Sequence, residues 1–196
     1  KLNMSKKDLS VLKLKKIDLE NKTSLTYLNF KSCLEIYIKK KTFLVAVSGG
    51  PDSLALTALS KIYSSEKKNK IFFVLVDHDI RPNSAKEAKA VKSLLKKKKI
   101  NLNIIKNKEK IKKNIQSHAR EVRYKILLNF CSKHGVKFIL TGHHRDDQIE
   151  TFLIRLSRGS GVQGLSSMKK ASSLSNQIKL IRPLLNEKKK RPHCFW

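Results

Sequence analysis

The stretch FLVAVSGGPDS, residues 43–53, decides the fold of this 196-residue chain. Its first five residues form an uninterrupted apolar run, and a short run closed by glycines is typical of a strand buried on both faces of a parallel sheet. Residues 53–63 (SLALTALSKIY) then predict a helix. The segment SGGPDS, residues 48–53, is called the glycine loop below. It begins where the strand ends, and α/β sheets bind their ligands at that edge.

The same order of elements repeats along the chain. Further apolar runs predict strands, and the segments between them predict helices. The predicted strands are 71–76, 101–105, 137–141 and 177–181, and the other predicted helices are 25–38, 84–95, 114–133 and 144–157. Because strand and helix alternate, we expect an α/β fold with a parallel sheet of about five strands and helices on both faces.

Two of the helices carry local signals. The first is expected to bring four apolar side chains together at helical spacing: Leu25, Leu28, Cys33 and Ile36. Ser84, followed three residues later by Glu87, has the spacing of a capping box and predicts that the helix over 84–95 begins there.

The composition is strongly basic. There are 44 Lys and Arg against 15 Asp and Glu, which gives a net charge of +29, while 40% hydrophobic residues suffice for a packed core. A charge of this size favours a polyanionic partner, most simply nucleic acid. Lys outnumbers Arg by 36 to 8, however, and the base composition of the coding DNA can also produce such a bias. Charge alone therefore leaves nucleic-acid binding open.

Several classes of protein are disfavoured. No apolar run approaches the ~20 residues that span a bilayer, and the N-terminus lacks the apolar stretch of a secretory signal. The three cysteines, Cys33, Cys131 and Cys194, are far apart and form no CxxC pair. Such a set argues against a disulfide framework and offers no sign of a zinc or iron–sulfur site. We therefore predict a cytoplasmic protein without a membrane partner.

The glycine loop has the residues of an anion site. Gly49 and Gly50 allow a tight turn and close approach of the backbone to a ligand. Successive N–H groups at the start of a helix attract phosphate, and Ser48 and Ser53 add hydroxyls. Asp52 would repel phosphate unless a cation lay between them, which suggests Mg²⁺. The loop is neither a Walker A nor a GxGxxG motif. The alternative is an ordinary turn whose Ser and Asp cap the helix.

The helix over 144–157 begins with a polar stripe. His143, Asp147 and Glu150 are spaced i, i+4 and i+7, so a helix that included all three would place them on one face. Carboxylates there suit the ammonium groups of an amine substrate, and an imidazole or a carboxylate can remove a proton from it. The alternative is that the carboxylates merely stabilise the helix N-terminus.

These motifs together resemble a known superfamily. SGGPDS after an apolar strand is similar to the pyrophosphate-binding loop of the N-type ATP pyrophosphatases, or PP-loop enzymes, which cleave ATP to AMP and pyrophosphate. Four further stretches resemble the tRNA(Ile)-lysidine synthetases within it. They are VDHDIRPNSAKEA (76–88), HAREVRYKIL (118–127), LTGHHRDDQIETFLIRLSRGSGVQGLSSM (140–168) and IRPLL (181–185). The matches keep the family's order from about residue 43 to 185.

The resemblance implies a fold, a reaction and a set of partners. The fold would be that of the adenine nucleotide alpha hydrolases. The reaction would be a ligation, in which ATP adenylates the wobble cytidine of a tRNA(Ile) with a CAU anticodon and the ε-amine of free L-lysine displaces AMP. ATP and Mg²⁺ would take part, and the oligomeric state stays open, a homodimer being one option. The domains would be a basic lead-in and helix at 1–40, a catalytic domain at 41–185 and a basic tail at 186–196.

The resemblance also implies roles for individual residues. Asp52, His143 and Asp147 are the expected catalytic residues, with Asp52 also on the metal. The expected ATP contacts are Ser48, Gly49, Gly50, Pro51, Asp52, Ser53 and His78. The expected lysine contacts are His143, Asp147, Glu150 and Arg182. Arg120 and Arg123 are expected to meet tRNA or phosphate, with surface ion pairing as the alternative, and His78 has a purely structural alternative. The segment RGSGVQG, 158–164, is expected to form a loop that closes over the site.

The chain departs from the family at two points. Asp79 stands where the family has a glycine, which predicts a strained or altered backbone. Bacterial members also continue well beyond IRPLL, so the tail, like the start at Lys1, suggests a truncated chain. Two alternative functions stay open: another PP-loop tRNA-modifying enzyme such as a tRNA thiolase, although those usually carry CxxC pairs, and an inactive basic RNA-binding remnant.

Overall fold

A computed structural model describes residues 21–107, 109, 115–157, 159 and 168–188. In this part of the chain the helices are α1 Asn21–Tyr37, α2 Pro51–Lys67, α3 Ser84–Lys96, α4 Ile115–His134 and α5 Arg145–Ser157. The strands are β1 Phe43–Val47, β2 Ile71–Asp77, β3 Leu102–Lys106, β4 Phe138–Leu140, β5 Ala171–Ser173 and β6 Lys179–Ile181. The expectations for the lead-in before residue 21, the loop 158–164 apart from Gly159, and the tail from 189 concern residues outside this description.

The strands form one sheet in the order β3-β2-β1-β4-β6-β5. Neighbouring strands are parallel except β5, which runs antiparallel to β6. The predicted α/β fold with a parallel sheet and helices on both faces is confirmed, and the antiparallel edge strand β5 is a sixth strand beyond the expected five or so. From β1 the chain moves outward to β2 and β3, whereas β4 leads to the opposite half of the sheet. The order therefore reverses between β1 and β4, and a crevice forms at such a point beyond the strand ends.

The core lies on both faces of the sheet. One cluster packs the helices α1, α2 and α3 against one face, with Phe30, Val45 and Leu56 fully buried. The other packs α4 against the opposite face around Leu44 and Leu127. Consecutive residues of β1 thus enter different clusters, which is why the whole run of β1 is apolar. This rigid sheet holds the loops at its carboxyl edge.

The expected apolar cluster of α1 is wrong except for Cys33. Leu25, Leu28 and Ile36 are 57–67% exposed, and the side chains that enter the core are Phe30, Cys33 and Leu34, followed by Ile38 just beyond the helix. Apolar residues occur around the whole circumference of this helix. The sequence pattern alone could therefore not show which side meets the sheet.

The expected capping box of α3 is also wrong. Ser84 is the first helical residue rather than the N-cap, which is Asn83, and no side-chain hydrogen bond caps the helix. Glu87 instead pairs with Arg81 at 3.4 Å. Within the described part of the chain, no helix combines the length and apolar character required to cross a membrane.

Candidate functional site

The glycine loop connects β1 to α2 and is closed by its own hydrogen bonds. The N–H of Ser48 donates to Ser53 Oγ at 3.2 Å, and that hydroxyl donates to the carbonyl oxygen of Gly50 at 2.9 Å. Gly49 has φ +86°, and a Cβ there would lie 3.0 Å from Val91 Cγ2. The buried Ser53 hydroxyl therefore shapes the loop from inside, and α2 begins directly after it at Pro51. The first N–H groups of a helix are a favourable place for an anion.

A second loop, residues 141–144, connects β4 to α5 and is called the histidine loop below. It packs directly on the first turn of α2. A Cβ on Gly142 would lie 3.0 Å from the carbonyl oxygen of Asp52, 3.1 Å from its carbonyl carbon and 3.2 Å from the nitrogen of Ser53. Since β1 and β4 are hydrogen-bonded neighbours, the sheet brings the two loops together, and glycine permits the contact.

His144 lies at the junction of the two loops. It is 6% exposed, with Nε2 3.5 Å from Asp52 Oδ2 and Nδ1 3.6 Å from Asp147 Oδ2. The His144 N–H donates to Asp147 Oδ2 at 2.7 Å, and the N–H of Asp146 donates to Nδ1 at 3.2 Å. The sequence reasoning passed over this residue. A signal was present, because His144 occupies the position just before the helix and stands three residues from an acid, which is the spacing of a cap.

His143 does not belong to the expected helical stripe. The helix α5 begins at Arg145, so only Asp147 and Glu150 are helical, and Glu150 is exposed one turn beyond Asp147. His143 instead bonds Thr141 Oγ1 through Nδ1 at 2.9 Å. Burial, and then the positive charge of Arg182, lower the pKa of His143 to about 4. The ring is therefore neutral at pH 7.

Three arginines influence this histidine. Arg120 and Arg123, in the first half of α4, also act to lower the pKa of His143, so their positive charges lie near the histidine loop. Arg182 is only 7% exposed, and its Nη1 donates to the carbonyl oxygen of Lys169 at 2.8 Å and to Ser172 Oγ at 3.1 Å. Its Nε has no hydrogen-bond partner and no carboxylate among the described residues pairs with it. A buried guanidinium without a counter-charge is costly, so an anionic ligand is its natural complement.

His78 follows β2 at the same edge of the sheet. Burial, and next the charge of Arg123, lower its pKa. Neither ring nitrogen has a hydrogen-bond partner among the described residues, although both are buried. Asp79 beside it has φ +54°, the conformation that glycine favours and that Asp tolerates. The Asp79 N–H donates to Asp77 Oδ1 at 3.0 Å, and Lys106 pairs with the Asp79 carboxylate at 2.9 Å.

Asp52 lies partly exposed in the glycine loop. Its side chain is 35% exposed on the first turn of α2. Among the described residues no three His, Cys, Asp or Glu side chains form a group that could hold a metal ion alone. Mg²⁺, however, usually needs only one or two carboxylates, with phosphate oxygens and water completing its shell. A single partly exposed carboxylate in the glycine loop is compatible with that kind of coordination.

Comparison with known proteins identifies the family of this chain. A family profile described as the PP-loop domain matches residues 20–193. The chain belongs to the PP-loop domain family. It is 50% identical over 147 residues to the tRNA(Ile)-lysidine synthase of Wolbachia pipientis wMel, covering 72% of this chain and 33% of that protein. It is 42% identical over 145 residues to the tRNA(Ile)-lysidine synthase of Orientia tsutsugamushi (strain Boryong), covering 72% and 32%. The predicted resemblance is confirmed, and the PP-loop chain spans about a third of the length of these curated relatives.

Solved structures share this fold. The U34-tRNA thiolase NcsA from Methanococcus maripaludis, solved with its [4Fe-4S] cluster, superposes with a TM-score of 0.70 at 21% identity, over 85% of this chain and 59% of that one. The NH3-dependent NAD synthetase from Campylobacter jejuni subsp. jejuni NCTC 11168 gives 0.52 at 13% identity, over 91% and 72%. At these identities the likeness shows the fold alone.

Proposed function

We propose that this chain carries the catalytic part of a tRNA(Ile)-lysidine synthase. It adenylates the wobble cytidine of a tRNA(Ile) with a CAU anticodon and releases pyrophosphate, and the ε-amine of L-lysine then displaces AMP. The observation that carries the proposal is the packing of the histidine loop on the glycine loop, with Asp52 and Asp147 on either side of His144. The names of the relatives support it. These substrates suit a protein of the cytoplasm.

The ATP half of the site is formed by the glycine loop. The backbone N–H groups of residues 48–53 and the first turn of α2 would hold the pyrophosphate part of ATP. Asp52 together with phosphate oxygens would hold Mg²⁺, which when bound offsets negative charge on the triphosphate. His78, with two unpartnered ring nitrogens, would meet the adenine or ribose.

The lysine half of the site lies at the start of α5. Asp147 and Glu150 would bind the ammonium groups of lysine, and the buried Arg182 would bind its carboxylate. His143 is neutral at pH 7 and lies in the same loop, so it would serve as the imidazole of the expected catalytic set. Arg120 and Arg123 would contact phosphates of the tRNA.

The proposal is tested by mass spectrometry of the tRNA. The chain is incubated with tRNA(Ile) bearing a CAU anticodon, ATP, Mg²⁺ and isotope-labelled lysine. We expect one labelled lysine on the wobble cytidine and one AMP released for each. Asp52→Asn and Asp147→Asn, which preserve side-chain size, should abolish both products while the protein remains folded. Full turnover by both variants would reject the assigned site.

The same assay separates the alternative functions. A tRNA thiolase would modify the tRNA with a sulfur donor and not with lysine. An RNA-binding remnant would bind tRNA with a steep salt dependence and consume no ATP. The names of the relatives do not favour the thiolase. The two described cysteines, Cys33 and Cys131, also lie in core clusters on opposite faces of the sheet.

A further inference from the structure

We propose that His144 is a positioning residue that fixes Asp52 relative to Asp147, and so holds the two halves of the site at a set separation. The expected effect on catalysis rests on the proposed function, whereas the positioning itself is inferred from the contacts of His144. The ring lies between carboxylates of two different elements, α2 and α5, at 3.5 and 3.6 Å. It is also buried, with only 6% of the residue exposed.

The hydrogen bonds of the ring determine its tautomer. The N–H of Asp146 donates to Nδ1, so Nδ1 presents its lone pair. In a neutral imidazole the proton then resides on Nε2. Nε2 faces Asp52 Oδ2 at 3.5 Å, a separation that can shorten to a full hydrogen bond when the site is occupied. The backbone of α5 thus aims an N–H donor at the carboxylate of α2.

Helix capping alone does not explain an imidazole at this position. The start of α5 is satisfied by the bond from the His144 N–H to Asp147 and by the acceptor at Nδ1. Asn, Ser or Asp would supply such an acceptor equally well. The part of the ring that capping leaves unexplained is Nε2, which reaches Asp52. Because the Asp52 side chain stays about one-third exposed, it can contact a ligand while His144 orients it.

Two substitutions separate positioning from capping. In His144→Asn the amide oxygen takes the place of Nδ1, so the cap is kept and the reach to Asp52 is lost. In His144→Gln the amide nitrogen takes the place of Nε2, so the donor towards Asp52 is kept and the cap is lost. We expect His144→Asn to melt near the wild-type temperature and to lower kcat for lysine-dependent AMP release about 10–100-fold, the usual effect of losing an orienting partner.

The companion variant should behave in the opposite way. His144→Gln should melt at a lower temperature and retain, per folded molecule, a kcat within about threefold of wild type, because the donor that matters is still present. The reverse pattern, with His144→Asn fully active and His144→Gln inactive, would show that His144 is only a cap and would overturn the inference.

A direct measurement keeps the inference distinct from the proposed function. In wild-type protein labelled with ¹⁵N-histidine, NMR of the ring nitrogens should show a proton on Nε2 of His144 and none on Nδ1. The resonance of that Nε2 proton should also shift in Asp52→Asn, because Nε2 faces the Asp52 carboxylate. A chain that makes no lysidine but shows this tautomer and this shift would refute the proposed function and leave the positioning contact supported. A proton on Nδ1 would overturn the inference whatever the activity.

Discussion

Replacing Gly142 with Ala tests the contact between the two loops. The new Cβ would lie 3.0–3.2 Å from three backbone atoms of Asp52 and Ser53, whereas ordinary contacts begin near 3.4 Å. These atoms belong to the first turn of α2 and cannot rotate away as a side chain can. The histidine loop must therefore retreat by a few tenths of an ångström, which lengthens the 3.5 Å contact between His144 and Asp52.

The expected effects follow from that displacement. Overpacking of this kind costs about 1–3 kcal/mol, and for a chain of this size that lowers the melting temperature by roughly 2–12 °C. Misplacing catalytic groups by a fraction of an ångström should lower kcat for lysine-dependent AMP release by about tenfold or more. Calorimetry measures the first effect, and pyrophosphate or AMP release measures the second.

Gly135→Ala is the matched control for this experiment. It makes the same chemical change at a glycine with φ +65° and no neighbour within 4 Å of the added Cβ. It should therefore cost about 1 kcal/mol of backbone strain and leave the activity per folded molecule unchanged. Wild-type melting temperature and activity in Gly142→Ala would refute the argument that the loops are in fixed contact.

Three further predictions concern single side chains. Gly50→Ala should have the melting temperature of wild type, since its Cβ would meet only Ser48 Oγ at 3.7 Å. It should weaken ATP binding, measured by calorimetry, about tenfold or more, because the added Cβ keeps phosphate from the backbone there. Unchanged ATP affinity would contradict the role assigned to the glycine loop. His143 should titrate near pH 4 by NMR. Because this pKa lies below the unfolded value of about 6.5, protonation favours the unfolded chain, and the free energy of unfolding should decrease as the pH falls from about 6.5 towards 4. A midpoint near 6.5 would show that the ring is not desolvated. Arg182→Met should raise the KM for lysine and leave the KM for ATP nearly unchanged. The folding stability should also change little, because the substitution replaces a buried charge that has no ion-pair partner among the described residues with an apolar side chain of similar size. An equal rise in both KM values would reject the lysine role.

Much of the sheet is predictable because its central strands are buried on both faces. A short continuous apolar run such as 43–47 is typical of a strand that is buried on both faces, and the glycines after it mark where the strand ends. The edge strand Ala171–Ser173 has no such pattern. Its three small residues become a strand only by pairing with β6, as in Ala171 opposite Ile181. Pairing of that kind is a tertiary effect that the local sequence does not contain.

The site was predictable as a place but not in its detailed contacts. The carboxyl ends of β1, β2 and β4 converge because parallel strands share one edge, so residues 48–53, 78 and 141–147 could be expected there. The assignment within the pair His143 and His144 depended on a helix boundary. Starting α5 at Arg145 removes His143 from the helical face and turns His144 into the residue that caps the helix. Helix boundaries often shift by one or two residues. Here the position of the boundary decides that His144, and not His143, is the residue in contact with Asp147.

The sheet constrains how this site can move. β1 and β4 pair through Leu44 with Ile139 and Val45 with Leu140, only a few residues before the two loops begin. The loops cannot separate by rigid-body motion without breaking hydrogen bonds at the centre of the sheet. The separation of Asp52 from Asp147 is therefore set by the short backbone spans after these pairs, at Gly142 through steric contact and at His144 through the contacts of its ring with both carboxylates. Any closure over bound substrates must come from segments outside these two loops, and substitutions at Gly142 and His144 should alter the chemical step more than substrate entry.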